Sequence, residues 1–313
     1  MAKEYFKILS IDGGGMRGVY PAHVLHCVKS RLGIDPTSYF DMYAGTSTGS
    51  IIAAGLACGR SPDEVVELYK KFGGEIFSPR SSWWPEKWKP AFHSLYNNDA
   101  LKKRLDEIFQ DIKLGDVSVP LLLPSTDIGH GGVHVFKSAY SAEFTRDNDV
   151  YVKDAVLASC SAPTFFDPVK IDAYALADGG LWANNPALAA VIDAQSRLGK
   201  LKEEIKILSL GTGLSKASYT TMIENKKWGL LNGWKGKDFI NFLMSLQGQS
   251  TQNYLKLLLN PDHLLRVNFE SEIPLPLDDC NQISDLISRA DREFTHRSEE
   301  IKKFLNKGRD NAQ

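Results

Sequence analysis

The sequence has little that would bind a metal or form a disulfide framework. Its four cysteines, Cys27, Cys58, Cys160 and Cys280, are scattered without a CxxC pair, and none of the seven histidines falls in an HExxH spacing. The thiols are therefore expected to be buried and reduced, with no metal and no cofactor. Long hydrophobic runs are also missing. The longest small-and-apolar stretch, Ile51 to Cys58, is broken by Gly55 and closes at Gly59, too short to cross a bilayer. A formal charge of -1 lacks the basic excess of a nucleic-acid binder. The opening MAKEYFKILSID carries charge where a secretory signal would be apolar, so a cytoplasmic protein is expected. Internal repeats and low-complexity linkers are lacking too, which favours a single domain over residues 1–313.

What is present is an alternation of strand and helix signals. Tyr5 to Ile11 is an apolar run ending at glycines, as a buried strand would. Val19 to Leu32 places Val24, Leu25, Val28 and Leu32 at helical spacing and stops at Gly33. Tyr39 to Ala44 reads as a second strand, followed by a helix from Ser50 to Cys58. Ser61-Pro62-Asp63-Glu64 starts a helix to about Phe72, with a cap, a proline in the first turn and acids that suit the dipole. Asp99 is expected to cap a helix ending at Phe109. Val119 to Ser125, Val133 to Lys137 and Ile205 to Leu210 are strand-like, and Val152 to Ser159 is a short helix. The remainder is mainly helical, Asp238 to Leu259 and Asp279 to Lys303, around a strand at Leu264 to Phe269. This order implies an α/β layered sheet with a motif-bearing core over about 5–215 and a helical part over about 216–313.

Three short segments carry the chemistry. Gly45-Thr46-Ser47-Thr48-Gly49 sits between a strand and a helix, the context that a G-x-S-x-G turn requires. The sharp turn strains the serine backbone, demands small residues on either side, and holds the hydroxyl at a helix N-terminus. Serine needs a base to act as a nucleophile. His263 and His296 follow in the chain, but neither lies in a loop suited to a triad, and His296 reads as a solvated helix residue. Asp178, in Ala177-Asp178-Gly179-Gly180, is the better acid: partial burial would make its carboxylate basic enough to take the serine proton. The third segment, Asp12-Gly13-Gly14-Gly15-Met16-Arg17-Gly18, contains a Gly-x-Gly-x-x-Gly spacing after a strand. By itself that spacing fits a dinucleotide site, which would also need an acidic residue near Asp35.

In order and spacing, these three segments together resemble the patatin-like phospholipase family. Ala158-Ser159-Cys160-Ser161-Ala162-Pro163-Thr164-Phe165-Phe166 and Ser209-Leu210-Gly211-Thr212-Gly213 extend the likeness, so that it covers about residues 5 to 215. The resemblance implies a three-layer α/β/α sandwich with a mostly parallel central sheet. It also implies a Ser47–Asp178 dyad that cleaves fatty acyl esters of phospholipids through an acyl-enzyme, without histidine. The amides of Gly13, Gly14 and Gly15 would form the oxyanion hole, with Arg17 steadying the loop or the nearby negative charge and Asp12 tying the loop's own amides. Within that family the chain is compatible with the group activated by a cyclic nucleotide in antiphage defence, although no residue identifies a nucleotide pocket. A nucleotide-binding protein and a non-catalytic receptor module of the same fold stand as alternatives.

A phospholipid substrate requires access to a membrane surface and hence peripheral association. Residues 73–97, with Trp83, Trp84 and Trp88, read as an insertion or lid. They and the Trp228 and Trp234 clusters interleave aromatics with lysines in the manner of a headgroup-layer contact.

Overall fold

A computed structural model describes residues 5–77, 94–215, 236–272 and 275–306. The tryptophan-lysine clusters at Trp83, Trp84, Trp88, Trp228 and Trp234 lie outside the described residues.

The centre is an eight-stranded sheet in the order β5-β6-β3-β2-β1-β7-β9, with β4 beside β3. Its strands are β1 (Phe6–Ile11), β2 (Met42–Gly45), β3 (Leu121–Asp127), β4 (Gly132–Lys137), β5 (Val169–Ile171), β6 (Tyr174–Asp178), β7 (Ile205–Leu210) and β9 (Leu264–Val267). β1 pairs in parallel with β2 and β7, β2 with β3, and β7 with β9. The antiparallel pairs gather at the other edge, where β3 meets β4 and β6 and β5 meets β6. A separate short pair joins β8 (Leu214–Ser215) to β10 (Glu270–Ser271).

Burial on both faces of the sheet dictates three layers. On β1, Leu9 and Ile11 point into one apolar cluster and Ile8 into a second. The first is covered by α1 (Val19–Leu32), α3 (Thr48–Ala57), α4 (Pro62–Ile76), α5 (Asn98–Phe109), α6 (Val152–Cys160) and α10 (Ile283–Asn306). The short α2 (Pro36–Tyr39) leads from α1 into β2. The second cluster lies under α8 (Ala187–Leu198) and α9 (Gly236–Leu258), beside the short α7 (Gly180–Ala183). β7 is buried along its whole length, so Ile207 and Leu208 serve opposite layers, the usual state of a central parallel strand. Among the described residues, no helix is long and apolar enough to cross a membrane.

Local chemistry explains most element ends. Ser61 and Glu64 form the full capping box at the start of α4, which continues to Ile76, beyond the expected end. The expected cap of α5 is corrected: Asn97, not Asp99, sits at the N-cap, its side chain accepting the Asp99 amide. Asp35 caps α2 by accepting from the Thr37 amide at 3.1 Å and its hydroxyl at 2.9 Å, so the second strand starts at Met42. Two of the thiols, Cys58 and Cys280, are only half-buried, and all four are free.

Candidate active site

Ser47 sits where β2 turns into α3. Its φ of 53° places a non-glycine residue in the left-handed region, the strain expected of a sharp strand-to-helix turn. Gly45 and Gly49 are small for a concrete reason. A Cβ on Gly45 would stand 2.2 Å from the Gly49 carbonyl oxygen, and one on Gly49 would stand 2.5 Å from that of Ile11. Thr46 anchors the turn by donating to the Ala183 carbonyl at 2.6 Å, and the Ser47 amide donates to Ser159 Oγ at 3.0 Å. Ser159 in turn donates to the Pro124 carbonyl at 2.6 Å. The Ser47 hydroxyl caps nothing, so it remains available at the positive end of α3.

Asp178 ends β6 across from this turn. Its amide donates to the Ser161 carbonyl at 2.9 Å, and its Oδ1 accepts the Gly180 amide at 2.6 Å. Gly179 is required because a side chain there would meet the Pro124 carbonyl oxygen at 2.3 Å. Oδ2 is buried without a hydrogen bond of normal geometry, yet the Ser47 side chain is close enough to act on the carboxylate. Burial pushes Asp178 up to about 7, while Ser47 and the Gly180 amide pull the other way and only partly offset it. A carboxylate near neutrality can accept a proton from a neighbouring hydroxyl, which an ordinary aspartate does poorly.

The glycine loop packs against the same turn, but its amides are not equivalent. The Gly13 amide donates to the Asn184 carbonyl at 3.0 Å, so Gly13 is corrected as a donor. Met16 donates to the Leu277 carbonyl at 2.7 Å and Arg17 to that of Gly14 at 3.1 Å. The amides of Gly14 and Gly15 are left without a partner among the described residues, and both residues line the cavity with Ser47. Gly15 needs to be glycine, since its φ is 58° and a Cβ would stand 2.1 Å from the Leu277 carbonyl oxygen.

Arg17 is buried and does not line the cavity; its Nε donates to the Gly14 carbonyl at 3.1 Å, which fixes the loop. Burial pulls its guanidinium down to about 10, still charged at neutral pH. Asp12 does not tie the loop's own amides. It forms a two-pronged ion pair with Arg266 on β9, at 2.8 Å and 2.5 Å, the guanidinium reaching across the intervening β7, where it also donates to Ser209 Oγ at 2.8 Å.

The turn, the carboxylate and the two free amides line one apolar cavity. Ile51, Leu68, Ile76, Phe165 and Phe166 form much of its wall. That apolar lining suits a hydrophobic ligand such as an alkyl chain. Neither His263 nor His296 lines it. Away from the cavity, His23, Cys27 and Asp291 come within 4.8 Å of one another. An Arg31 guanidinium already neutralises Asp291 at 2.5 Å, a poor setting for a cation. The acidic residue that a dinucleotide site needs is engaged elsewhere, since Asp35 caps α2.

On this α/β layered fold a strained serine faces a buried carboxylate, which is the pairing of a hydroxyl with a neighbouring base that an ester hydrolase needs. The chain belongs to the patatin-like phospholipase family, which it matches over residues 9–191. It is 29% identical to a cGAMP-activated phospholipase of Vibrio cholerae, covering 94% of this chain and 92% of that protein. It is also 29% identical to a cUMP-AMP-activated phospholipase of Escherichia coli, covering 96% and 93%. Among solved structures, VipD from Legionella pneumophila aligns with a TM-score of 0.47 at 14% identity, covering 94% of this chain and 67% of that one.

Asn184, Leu277 and Arg266 were invisible as site residues in the sequence. Asn184 at least follows Asp178 closely in the chain, whereas Arg266 lies on an ordinary strand, separated from Asp12 by 254 positions.

Proposed function

We propose that this chain is a lipid acyl hydrolase of the phospholipase A type. The observation that carries this reading is the strained Ser47 beside a buried Asp178 in the wall of one apolar cavity. Ser47 Oγ attacks the ester carbonyl as Asp178 Oδ2 takes its proton. The amides of Gly14 and Gly15 receive the oxyanion, a contribution of about 3 kcal/mol for each donor that fits the transition state. Asp178 then returns the proton to the leaving alcohol, which departs as the lysophospholipid. Water, deprotonated by the same carboxylate, releases the fatty acid from Ser47 and restores both groups. Gly13 and Arg17 act at one remove, holding the loop through Asn184 and the Gly14 carbonyl.

Activation by a cyclic dinucleotide is part of the proposal, supported by the names of relatives that align over nearly the full length. So is a cytoplasmic protein that meets a phospholipid surface when it acts, in antiphage defence. Lipid-product analysis of purified protein, with and without cGAMP and cUMP-AMP, tests these points together. Free fatty acid and lysophospholipid that vanish in Ser47→Ala are expected. Undiminished release in Ser47→Ala refutes the nucleophile, and turnover indifferent to both nucleotides refutes the activation.

A further inference from the structure

The helix α9 presents an unusual outer face. From Phe239 to Leu255 it contains no charged residue at all. Leu243 and Leu246 are 47% and 45% exposed, and further along Tyr254 and Leu257 reach 58% and 85%. These positions, with Ser250 between them, recur at three- and four-residue intervals and so share one stripe of the helix. The opposite face is already in use: Thr251 and Leu255 are buried, and Leu255 belongs to the apolar cluster beneath α8 and α9. The outward stripe is therefore a second apolar face, on a helix whose charges, Lys237, Asp238 and Lys256, are confined to its two ends.

Its position ties it to the active-site cavity. Met244, the residue after Leu243, lines the cavity that holds Ser47 and Asp178, and so does Leu181, itself 48% exposed. The Asn185 amide donates to Gln247 Oε1 at 3.1 Å, binding α9 to the segment that follows Asp178. The half-exposed Leu181 marks the mouth of that cavity, and the stripe begins one residue from Met244 in its wall. An acyl chain passing from a bilayer into that mouth avoids water only if the surface around the mouth touches the hydrocarbon.

We propose that the outward stripe of α9, centred on Leu243 and Leu246, is the surface that seats this protein on a phospholipid bilayer, aligning the cavity mouth with the acyl layer. The inference rests on the lipid hydrolase reading. Because the stripe is uncharged, its seating is driven by apolar burial, without attraction between lysine and headgroup. It accepts zwitterionic lipid and resists salt.

The test is co-sedimentation of the purified full chain with phosphatidylcholine vesicles, with and without cGAMP. Leu243→Glu/Leu246→Glu should bind at least about tenfold more weakly, because it places two charges at the acyl boundary. Hydrolysis of vesicle phosphatidylcholine should fall in parallel, while hydrolysis of a water-soluble short-chain ester should stay within about twofold of the parent. The milder Leu243→Gln/Leu246→Gln pair should show the same split with a smaller loss, and decides the matter if the Glu pair does not fold.

Vesicle binding that is equal in the parent and both variants overturns the proposal, as does a parent that binds no vesicles. Binding that disappears in high salt assigns the contact to a basic surface. A parent dimer that the Glu pair splits, seen by light scattering, gives the stripe to a second copy; either result also overturns it. A parent that hydrolyses no ester of any kind would remove the lipid hydrolase reading, while the vesicle measurement would still judge the surface.

Discussion

Replacing Asp178 with Asn separates the cost of the carboxylate to the fold from its use in the reaction. In the fold, burial lifts its pKa from the ordinary 3.8 to about 7. A carboxyl raised in this way binds its proton more tightly folded than unfolded. Its contribution to stability is fully present below the unfolded value and is lost as the pH climbs through about 7. At pH 8 the ionised, 3%-exposed carboxylate therefore costs the fold about 4 kcal/mol relative to the unfolded chain. At pH 4.5 the same comparison gives about 1 kcal/mol. Asn retains an oxygen for the Gly180 amide but has no charge to desolvate. Asp178→Asn should accordingly melt about 5 °C above the parent at pH 8, with the gain shrinking to about a degree at pH 4.5. Activity moves the opposite way. In the parent, kcat/KM for a soluble ester should fall about tenfold per pH unit below neutrality, as the base becomes protonated, and in Asp178→Asn it should be nearly abolished at every pH. Differential scanning fluorimetry across pH and initial rates on a short-chain ester measure both. A melting difference that does not change between pH 4.5 and 8, or an activity midpoint near 4, would refute the reasoning.

Other perturbations probe the supports around the site. Arg266→Ala strands the buried Asp12 carboxylate and should cost about 3–5 kcal/mol in urea unfolding, much of it recovered in the paired Asp12→Asn/Arg266→Met variant. Gly15→Ala forces a side chain against the Leu277 carbonyl oxygen and should lower kcat by about 10²–10³ while leaving KM nearly unchanged, as steady-state kinetics on a soluble ester would show. Ser159→Ala removes the acceptor of the Ser47 amide and should destabilise the fold by about 1–3 kcal/mol in the same unfolding assay, with a fall in kcat, because the serine turn loses its anchor. His263→Asn, by contrast, should leave the rate on a soluble ester within about twofold of the parent, since that ring does not line the cavity.

The legible parts of this protein are those in which one residue type is needed for a local reason. Gly45 and Gly49 flank Ser47 because nothing larger fits a turn of that sharpness, and the need is written in the five-residue pattern itself. β7 was readable to the residue, because a central parallel strand is apolar on both faces. The start of α4 was readable from its cap, first-turn proline and acids, but its end was not, since Gly73 and Gly74 break the pattern without breaking the helix. Asn97 and Asp99 both suit a cap, and only the backbone chose between them.

By itself, the sequence determined the chemical inventory: a serine on a strained turn, an aspartate before two glycines, a glycine loop after the first strand, and their order along the chain. The tertiary structure alone decided how that inventory is used. Whether a backbone amide is free depends on which distant carbonyl reaches it, and so Asn184 claims Gly13 while Gly14 and Gly15 stay open. Burial from all sides, which no local pattern records, sets the basicity of Asp178. The partner of Asp12 and the outward apolar stripe of α9 were decided in the same way, since both depend on what packs against each side chain and what does not.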